Sequence, residues 1–154
     1  IATRRWHREV TLPGLREAEA RAGRAAGACA LAPYVLTSIQ PTREAAVADA
    51  KKQTGFYYTT ALYHSVLAHQ GMEEVGRACQ AAFRKMDLVA LADAVPDALV
   101  DDIAIACTPD EARDRLAQWD DLTEEPLLYA PTVGVAPERV RRNHELTLEA
   151  FGTR

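Results

Sequence analysis

The feature that most constrains the fold is a short, largely apolar run, Ala28–Ile39, which contains Tyr34, Val35 and Ile39. The run is too short and too rich in β-branched residues for a helix, so it predicts a buried strand of the kind found in parallel sheets. Pro33 belongs near the start of this strand, because proline cannot donate a ladder hydrogen bond. The run therefore favours an α/β fold.

Two further apolar segments, Ile103–Ala106 and Leu127–Ala130, also predict strands, and helical sequence separates all of these segments. Alternation of strands with longer helices is typical of β-α units and a parallel sheet. The segment Ile103–Ala106 is the weakest of them, and two convincing strands alone cannot build such a sheet. The α/β pattern is thus incomplete within this sequence.

The helices are predicted from apolar periodicity and from the Pro and Gly residues at their ends. Gly55 is expected to end or interrupt the helix that Pro41 begins, and an apolar stripe predicts another helix after Glu73. The first eight residues show no capping residue and no strand pattern. The remaining predicted helices are Leu12–Arg24, Phe56–Gln70, Leu88–Val95 and one that starts at Pro137. The residues expected to face inward on the last helix are Val140, His144, Leu148 and Phe151.

The strongest local helix signal is the tetrapeptide that begins at Thr108 and ends at Glu111. It places Thr at the N-cap, Pro109 at the first helical position and Glu at the third, which is a capping box with a favourable proline. The sequence therefore predicts that a helix starts at this point.

Length, charge and hydropathy exclude several classes of protein. The chain has 154 residues, enough for one domain, and its net charge of −4 argues against a nucleic-acid partner. No apolar run approaches the roughly 18 residues that cross a bilayer, and no signal peptide opens the chain. We therefore expect a cytoplasmic protein. Because the chain begins with Ile1 rather than Met, we also expect a mature or truncated product.

Side chains that commonly carry chemistry are scattered through the sequence. Cys29, Cys79 and Cys107 lie far apart, which predicts free thiols and no zinc knuckle. His64 and His69 are five residues apart, about 140° on a helix, so they do not share a metal. The paired acidic residues are adjacent and fit solvated turns. We expect no metal site, and no catalytic residue is assigned.

An aromatic segment at Phe56–His64 is the best candidate for a binding site, because it contains Tyr57, Tyr58 and Tyr63 besides its two terminal residues. Two interpretations are open. The segment is an amphipathic helix whose phenols reach solvent, or it is a pocket wall on which a flat ligand stacks.

Several segments together resemble the luciferase-like oxidoreductases, which use a flavin or a deazaflavin. The most specific is Ile103–Glu111, which is similar to the strand, Gly-Thr-Pro and acidic pair of that family, with Cys107 in place of the usual Gly. The usual Gly-Val-Asp before the last strand is replaced by Thr123–Pro126. The other similar segments are Ala20–Arg24, Ser38–Ala45, Tyr58–Gly71 and Leu127–Pro131.

The resemblance implies that residues 1–154 are the C-terminal part of a (β/α)8 TIM barrel, helix-rich with few parallel strands, whose N-terminal half is absent. It implies FMN or a deazaflavin as cofactor and a small-molecule substrate, with monooxygenation and hydride transfer both open. The cofactor phosphate contacts would lie upstream of Ile1. We expect the isolated chain to be inactive and to self-associate through the strand edges that the missing half would pair.

The resemblance also implies that the aromatic segment lies at the mouth of the barrel, beside the C-terminal ends of the strands. The implied substrate-pocket candidates are Thr37, Tyr57, Tyr58, Tyr63 and His64. Of Tyr63 and His64, we expect His64 to be the polar contact, since Tyr63 shares its face with Phe56 and Leu67 on a continuous helix. The alternative function is a small helix-rich interaction domain without catalysis, which the long helical middle of the chain favours.

Overall fold

The computed structural model describes residues 1–152 and contains a small parallel sheet. Its strands are β1 (Tyr34–Ile39), β2 (Ala104–Cys107) and β3 (Leu127–Tyr129), in the order β2-β1-β3. Both pairings are parallel, with Leu36 opposite Ala104 on one side and opposite Tyr129 on the other. The predicted parallel sheet is confirmed, and β1 begins directly after Pro33 as expected.

The helix predicted over Leu12–Arg24 is observed as α2 (Leu12–Arg21), but it is preceded by helical residues that the sequence did not indicate. These form α1 (Arg4–Trp6) and a π-helical turn (His7–Thr11). The expectation that no capping residue precedes α1 is wrong, because the Thr3 side chain accepts a hydrogen bond from the Trp6 amide.

The helix after β1 is longer than expected. It is α3 (Arg43–Tyr58), and Gly55 neither ends nor interrupts it. Gly55 instead lies where α3 meets Leu91, since a Cβ there would be 2.8 Å from the Leu91 carbonyl oxygen. The predicted helix at Phe56–Gln70 is wrong as one element. The chain breaks after Tyr58 and forms a 3-10 turn (Ala61–Tyr63), followed by α4 (His64–His69).

Five further helices complete the chain. They are α5 (Glu73–Arg84), α6 (Leu88–Asp93), α7 (Asp97–Ile103), α8 (Ala112–Ala117) and α9 (Pro137–Phe151). The sequence did not predict α7. The capping box at Thr108 is confirmed, because its amide donates to a Glu111 carboxylate oxygen over 3.2 Å in the 3-10 turn (Pro109–Glu111) that precedes α8.

The inward face of α9 differs from the expected one. Asn143 and Leu146 are buried, whereas His144 and Leu148 are exposed. The Asn143 side chain hydrogen bonds to the backbone of β1, and this contact sets the rotation of the helix. The apolar periodicity misled the prediction because the buried stripe contains a polar residue.

Helices cover both faces of the sheet. Leu36, Ala104 and Ala106 share a hydrophobic core with α3, α5, α6 and α7. Val35, Ile39, Ile105 and Cys107 face the other way, into a core that includes Ala112, Trp119 and Leu146. Because successive strand residues point to opposite faces, the two cores lie on opposite sides of the sheet.

The strand order differs from that of a barrel segment. In a (β/α)8 barrel the helices form an outer ring around strands that follow one another in chain order. Here the first strand is central and both faces carry helices. The helix-rich α/β class with a parallel sheet is observed, but the described residues do not place the strands in chain order.

The described part of the chain contains no helix long and apolar enough to cross a membrane. Cys79 and Cys107 are buried free thiols, and Cys29 is a half-buried one, as expected for cysteines without a disulfide framework.

Candidate functional site

A cavity of about 250 Å³ lies where β1, β3, α3 and the 3-10 turn meet. Tyr34 is the first residue of β1 and Tyr129 the last of β3. The register places both on one face of the sheet, two positions apart. Tyr57 comes from the last turn of α3 and Tyr63 from the 3-10 turn, and Ile1 completes the wall. We call this site the tyrosine cavity.

The aromatic rings of the tyrosine cavity are nearly perpendicular to their neighbours. The Tyr57 ring makes an angle of 78° with the Tyr63 ring and 84° with the Tyr129 ring, at centroid distances of 5.8 and 6.4 Å. Tyr129 and Tyr34 are related in the same way, at 81° and 6.0 Å. These edge-to-face contacts hold the side chains without filling the space between them.

The tyrosine cavity is weakly polar. Burial raises the pKa of Tyr129, and the neighbouring Tyr57 hydroxyl raises it further, so the phenol stays neutral at physiological pH. Among the described residues that line the cavity, none has a charged side chain. The site is therefore suited to apolar and π contacts, with phenol hydroxyls as its polar groups.

Tyr57 and Tyr63, two of the candidates from the sequence, line the cavity, but Tyr58 does not. Tyr58 is fully buried behind Tyr63, at 6.3 Å and 90° between the rings. Burial is the main cause that raises its pKa, and its hydroxyl has no hydrogen-bond partner in the described structure. Tyr58 therefore supports the wall from behind.

His64 and Thr37 lie outside the cavity. The His64 Nε2 atom is 3.1 Å from the Tyr58 carbonyl oxygen, and a Cβ at Gly76 would be 2.9 Å from the same nitrogen. His64 is thus held between the end of α3 and α5. Thr37 is buried, and its hydroxyl donates to the Val35 carbonyl. Between Tyr63 and His64, the geometry reverses our expectation: Tyr63 reaches the cavity.

Ile1, Tyr34 and Tyr129 are the lining residues that sequence reasoning missed. Tyr34 and Tyr129 each lie in a predicted strand, but the sequence did not indicate that the two strands are neighbours. An aromatic residue at the end of two predicted parallel strands was the one available signal, and it becomes informative only once the strand order is known.

The location of the cavity also differs from the expected one. Because α3 starts just beyond Ile39 and runs back along the sheet, its last turn lies at the N-terminal end of β1, beside Tyr34. We expected the aromatic segment at the C-terminal ends of the strands, and the structure places it at the opposite end of β1.

The C-terminal end of β1 is closed by protein contacts. In a sheet with helices on both faces, ligands commonly bind where the strand order reverses, here between β1 and β3. The pairing of β1 with β3 ends at Leu36. At the next residue of β1, the side-chain amide of Asn143 donates to the Thr37 backbone carbonyl over 2.9 Å. The side-chain Oδ1 atom of Asn143 accepts from the Ile39 backbone amide over 2.5 Å. Asn143 thus takes the place of a neighbouring strand.

Further contacts close the same end. Arg139 of α9 pairs with the buried carboxylate of Asp49 and donates to the Ala45 carbonyl over 2.9 Å. The Gln53 side chain accepts from the Thr132 amide over 2.9 Å and so fixes the chain that follows β3.

A complete FMN or deazaflavin cofactor does not fit the tyrosine cavity. Pockets for drug-sized ligands measure roughly 300–1,000 Å³, and the tyrosine cavity is smaller. The cavity also presents no cationic side chain to a phosphate. The described residues contain no group of three or more His, Cys, Asp or Glu side chains that could hold a metal ion.

Comparison with known proteins places this α/β chain in a family. The family model for luciferase-like monooxygenases matches residues 3–124, which is more than half of the chain. The chain therefore belongs to the luciferase-like monooxygenase family.

The fold is similar to that of the coenzyme F420 dependent tetrahydromethanopterin reductase from Methanopyrus kandleri, with a TM-score of 0.70 and 20% sequence identity. The match covers 90% of this chain and 39% of the reductase, so the chain spans well under half the length of that enzyme. A sequence comparison with curated proteins finds no match.

Proposed function

We propose that residues 1–154 are the C-terminal part of a luciferase-like oxidoreductase that uses FMN or a deazaflavin, and that the tyrosine cavity is part of its substrate site. The observation that carries this proposal is the family match over residues 3–124 in a chain whose well-defined aromatic cavity is too small for the cofactor. The 39% coverage of the reductase supports a longer parent enzyme. Its cytoplasmic location is part of the proposal.

The cofactor supplies the redox chemistry in such enzymes, and the protein supplies binding, orientation and exclusion of water. Dependence of the similar reductase on coenzyme F420 supports a deazaflavin. In this chain, Tyr57, Tyr63 and Tyr129 would bind and orient a small-molecule substrate, and Tyr34 would form the outer wall.

Two of the other candidates support the site indirectly. Tyr58 is a positioning residue behind Tyr63, and His64 fixes the end of α3 through the Tyr58 carbonyl. Thr37 lies in β1 with its hydroxyl already bonded, so we assign it no ligand contact. No catalytic residue is assigned within this chain.

Titration of the purified chain with FMN and with F420 tests whether cofactor binding requires residues outside 1–154. Because the tyrosine cavity does not fit either cofactor, we expect no fluorescence quenching at micromolar concentrations. Micromolar binding of either cofactor to residues 1–154 would overturn this part of the proposal.

The sequence encoded upstream of Ile1 tests the proposal that residues 1–154 are part of a longer enzyme. It should hold a run of β-α units of about half-barrel length, as an eight-stranded barrel of roughly 250 residues requires.

In that longer enzyme, Tyr57→Leu should raise KM or lower kcat for the substrate. Phe83→Leu is the matched control, since Phe83 is an aromatic residue of α5 that does not line the cavity. Equal effects of the two variants would contradict a substrate role for Tyr57.

A partner-binding module without catalysis is the second candidate, and exposed apolar side chains favour it. Met86, between α5 and α6, is 74% exposed, and Val89 in α6 is 72% exposed. Size-exclusion chromatography of the chain separates the two candidates, because an incomplete enzyme should self-associate whereas a module should be a monomer that melts cooperatively. Self-association would involve the outer edges of β2 and β3, since β1 is paired on both sides.

A further inference from the structure

The perpendicular rings of the tyrosine cavity restrict the shape of its ligand. A flat ring that stacks on Tyr57 meets Tyr63 and Tyr129 at nearly a right angle, because these rings make angles of 78° and 84° with Tyr57. A flat ligand therefore stacks on one wall only. A rounded group touches several walls at once, so the geometry favours a compact, roughly spherical group over a flat one.

The spacing of the rings suits such a group. The ring centroids are 6.4 Å apart for Tyr57 and Tyr129 and 6.0 Å apart for Tyr34 and Tyr129. A group in contact with two of these rings therefore lies within the roughly 6 Å of a centroid over which a cation is attracted to the face of an aromatic ring.

The charge distribution favours a cation. Phenol rings carry negative potential on their faces, and no Lys or Arg side chain lines the cavity among the described residues. The net charge of the whole chain, −4, also attracts cations.

We propose that the tyrosine cavity binds the methylated ammonium group of a small molecule, with Tyr34, Tyr57, Tyr63 and Tyr129 as an aromatic cage. The size is appropriate: a cavity of about 150 Å³ holds one benzene ring, so 250 Å³ holds a quaternary ammonium head and a short chain. The proposal deepens the substrate role given to this cavity above, but the binding step does not depend on the redox reaction.

The test compares two ligands of nearly equal shape. Choline carries a trimethylammonium head, and 3,3-dimethylbutan-1-ol carries the same head with carbon in place of nitrogen. Calorimetric titration of the 154-residue chain should show choline binding about tenfold or more tightly than the neutral alcohol, because only choline gains the cation–π attraction.

Two substitutions at one position identify the cage. Tyr57→Phe keeps the ring and should leave the choline Kd within about threefold, whereas Tyr57→Leu removes the ring and should weaken binding about tenfold. Phe83→Leu is the control for loss of an aromatic ring outside the cavity and should have no effect. Circular dichroism confirms that each variant is folded before it is titrated, and Tyr129→Phe with Tyr129→Leu repeats the comparison should Tyr57→Leu unfold.

The outcomes separate this proposal from the proposed function. Equal affinity for choline and the alcohol, or no binding of choline at millimolar concentration, overturns the cage. Loss of substrate turnover in the Tyr57→Leu enzyme together with either of these results would refute the ammonium ligand and leave the substrate role intact. Tight choline binding without any cofactor-dependent turnover in the longer enzyme would support the cage and refute the oxidoreductase.

Discussion

The two ends of strand β1 are built in opposite ways. At its N-terminal end Tyr34 is 66% exposed and belongs to a cavity walled by aromatic rings. At its C-terminal end Ile39 is fully buried, and Asn143 satisfies its amide and the Thr37 carbonyl. One end offers space to a ligand, and the other is closed by hydrogen bonds.

The difference shows how one short strand serves two purposes. A buried backbone amide or carbonyl without a partner is costly, so the end that is not paired by β3 needs Asn143. Perpendicular aromatic rings leave space between them because their contacts are edge to face. Stability therefore depends on the closed end, and binding is expected at the open end.

Removal of the Asn143 side-chain amide should have the largest effect. Asn143→Leu keeps a similar size but leaves the Thr37 carbonyl and the Ile39 amide unpaired, so we expect a loss of about 2–5 kcal/mol in the free energy of unfolding. Urea denaturation measures it. The neighbouring His144→Ala is the control, with an expected change within about 0.5 kcal/mol because His144 is exposed. Equal stability of both variants would contradict the role of Asn143.

A side chain at Gly55 should have the next largest effect. In Gly55→Ala the new methyl group meets the Leu91 backbone and side chain at 2.8 and 2.9 Å, so α3 and α6 must separate. We expect a loss of about 1–3 kcal/mol, although alanine favours a helix more than glycine does. Gly14→Ala in α2 is the control, because nothing lies within 4 Å of its Cβ and stability should rise by up to about 1 kcal/mol. A neutral or stabilising Gly55→Ala would refute the close helix contact.

His64 and Tyr63 should behave differently although they are adjacent. His64→Ala loses the contact with the Tyr58 carbonyl, so it should cost about 1–2 kcal/mol of stability and leave choline binding unchanged. Tyr63→Leu should weaken choline binding, because Tyr63 lines the cavity. Thermal denaturation and calorimetry measure the two effects. A stable His64→Ala variant with lost ligand binding would show that the histidine, and not the tyrosine, faces the ligand.

The last prediction concerns Glu19 of α2, whose carboxylate binds the loop before β1, and its effect is present at neutral pH and lost in acid. Burial raises the pKa of Glu19, but hydrogen bonds from Arg16, Cys29 and Gly27 outweigh it and lower the pKa from 4.5 to about 2. A carboxylate with a lowered pKa in the folded state stabilises the protein above its unfolded pKa, and this contribution is lost as the pH falls from 4.5 to 2.

Melting temperatures between pH 7 and pH 2 test this titration. We expect Glu19→Gln to be less stable than the parent at neutral pH and the difference to shrink below pH 4.5. Glu17→Gln is the control, since the Glu17 carboxylate is 73% exposed and pairs only loosely with Arg21. A difference that stays constant with pH would contradict the lowered pKa of Glu19.

Local signals predicted much of the element order. The helix-strand-helix succession, the parallel pairing and the capping box at Thr108 are all observed, because periodicity and capping act over a few residues. The motifs that resemble the luciferase-like family are also local. Two predictions show the limit of local signals. Gly55 was expected to end or interrupt a helix but lies inside α3, and the predicted helix Phe56–Gln70 is broken after Tyr58.

The candidate site was only partly predictable. Tyr57 and Tyr63 were found because aromatic residues cluster in the sequence, whereas Tyr34 and Tyr129 are 95 residues apart and meet only through the pairing of β1 with β3. The preference for His64 failed because the chain turns after Tyr58, so helical angles no longer apply across that point.

The sequence by itself determined the class of fold, the family and the positions of most helices and strands. The tertiary structure decided the strand order, the end of the sheet at which the tyrosines meet, and the use of Asn143 in place of a strand. These features depend on contacts between residues distant in the chain, where burial and hydrogen-bond satisfaction select one arrangement among many that have the same local pattern.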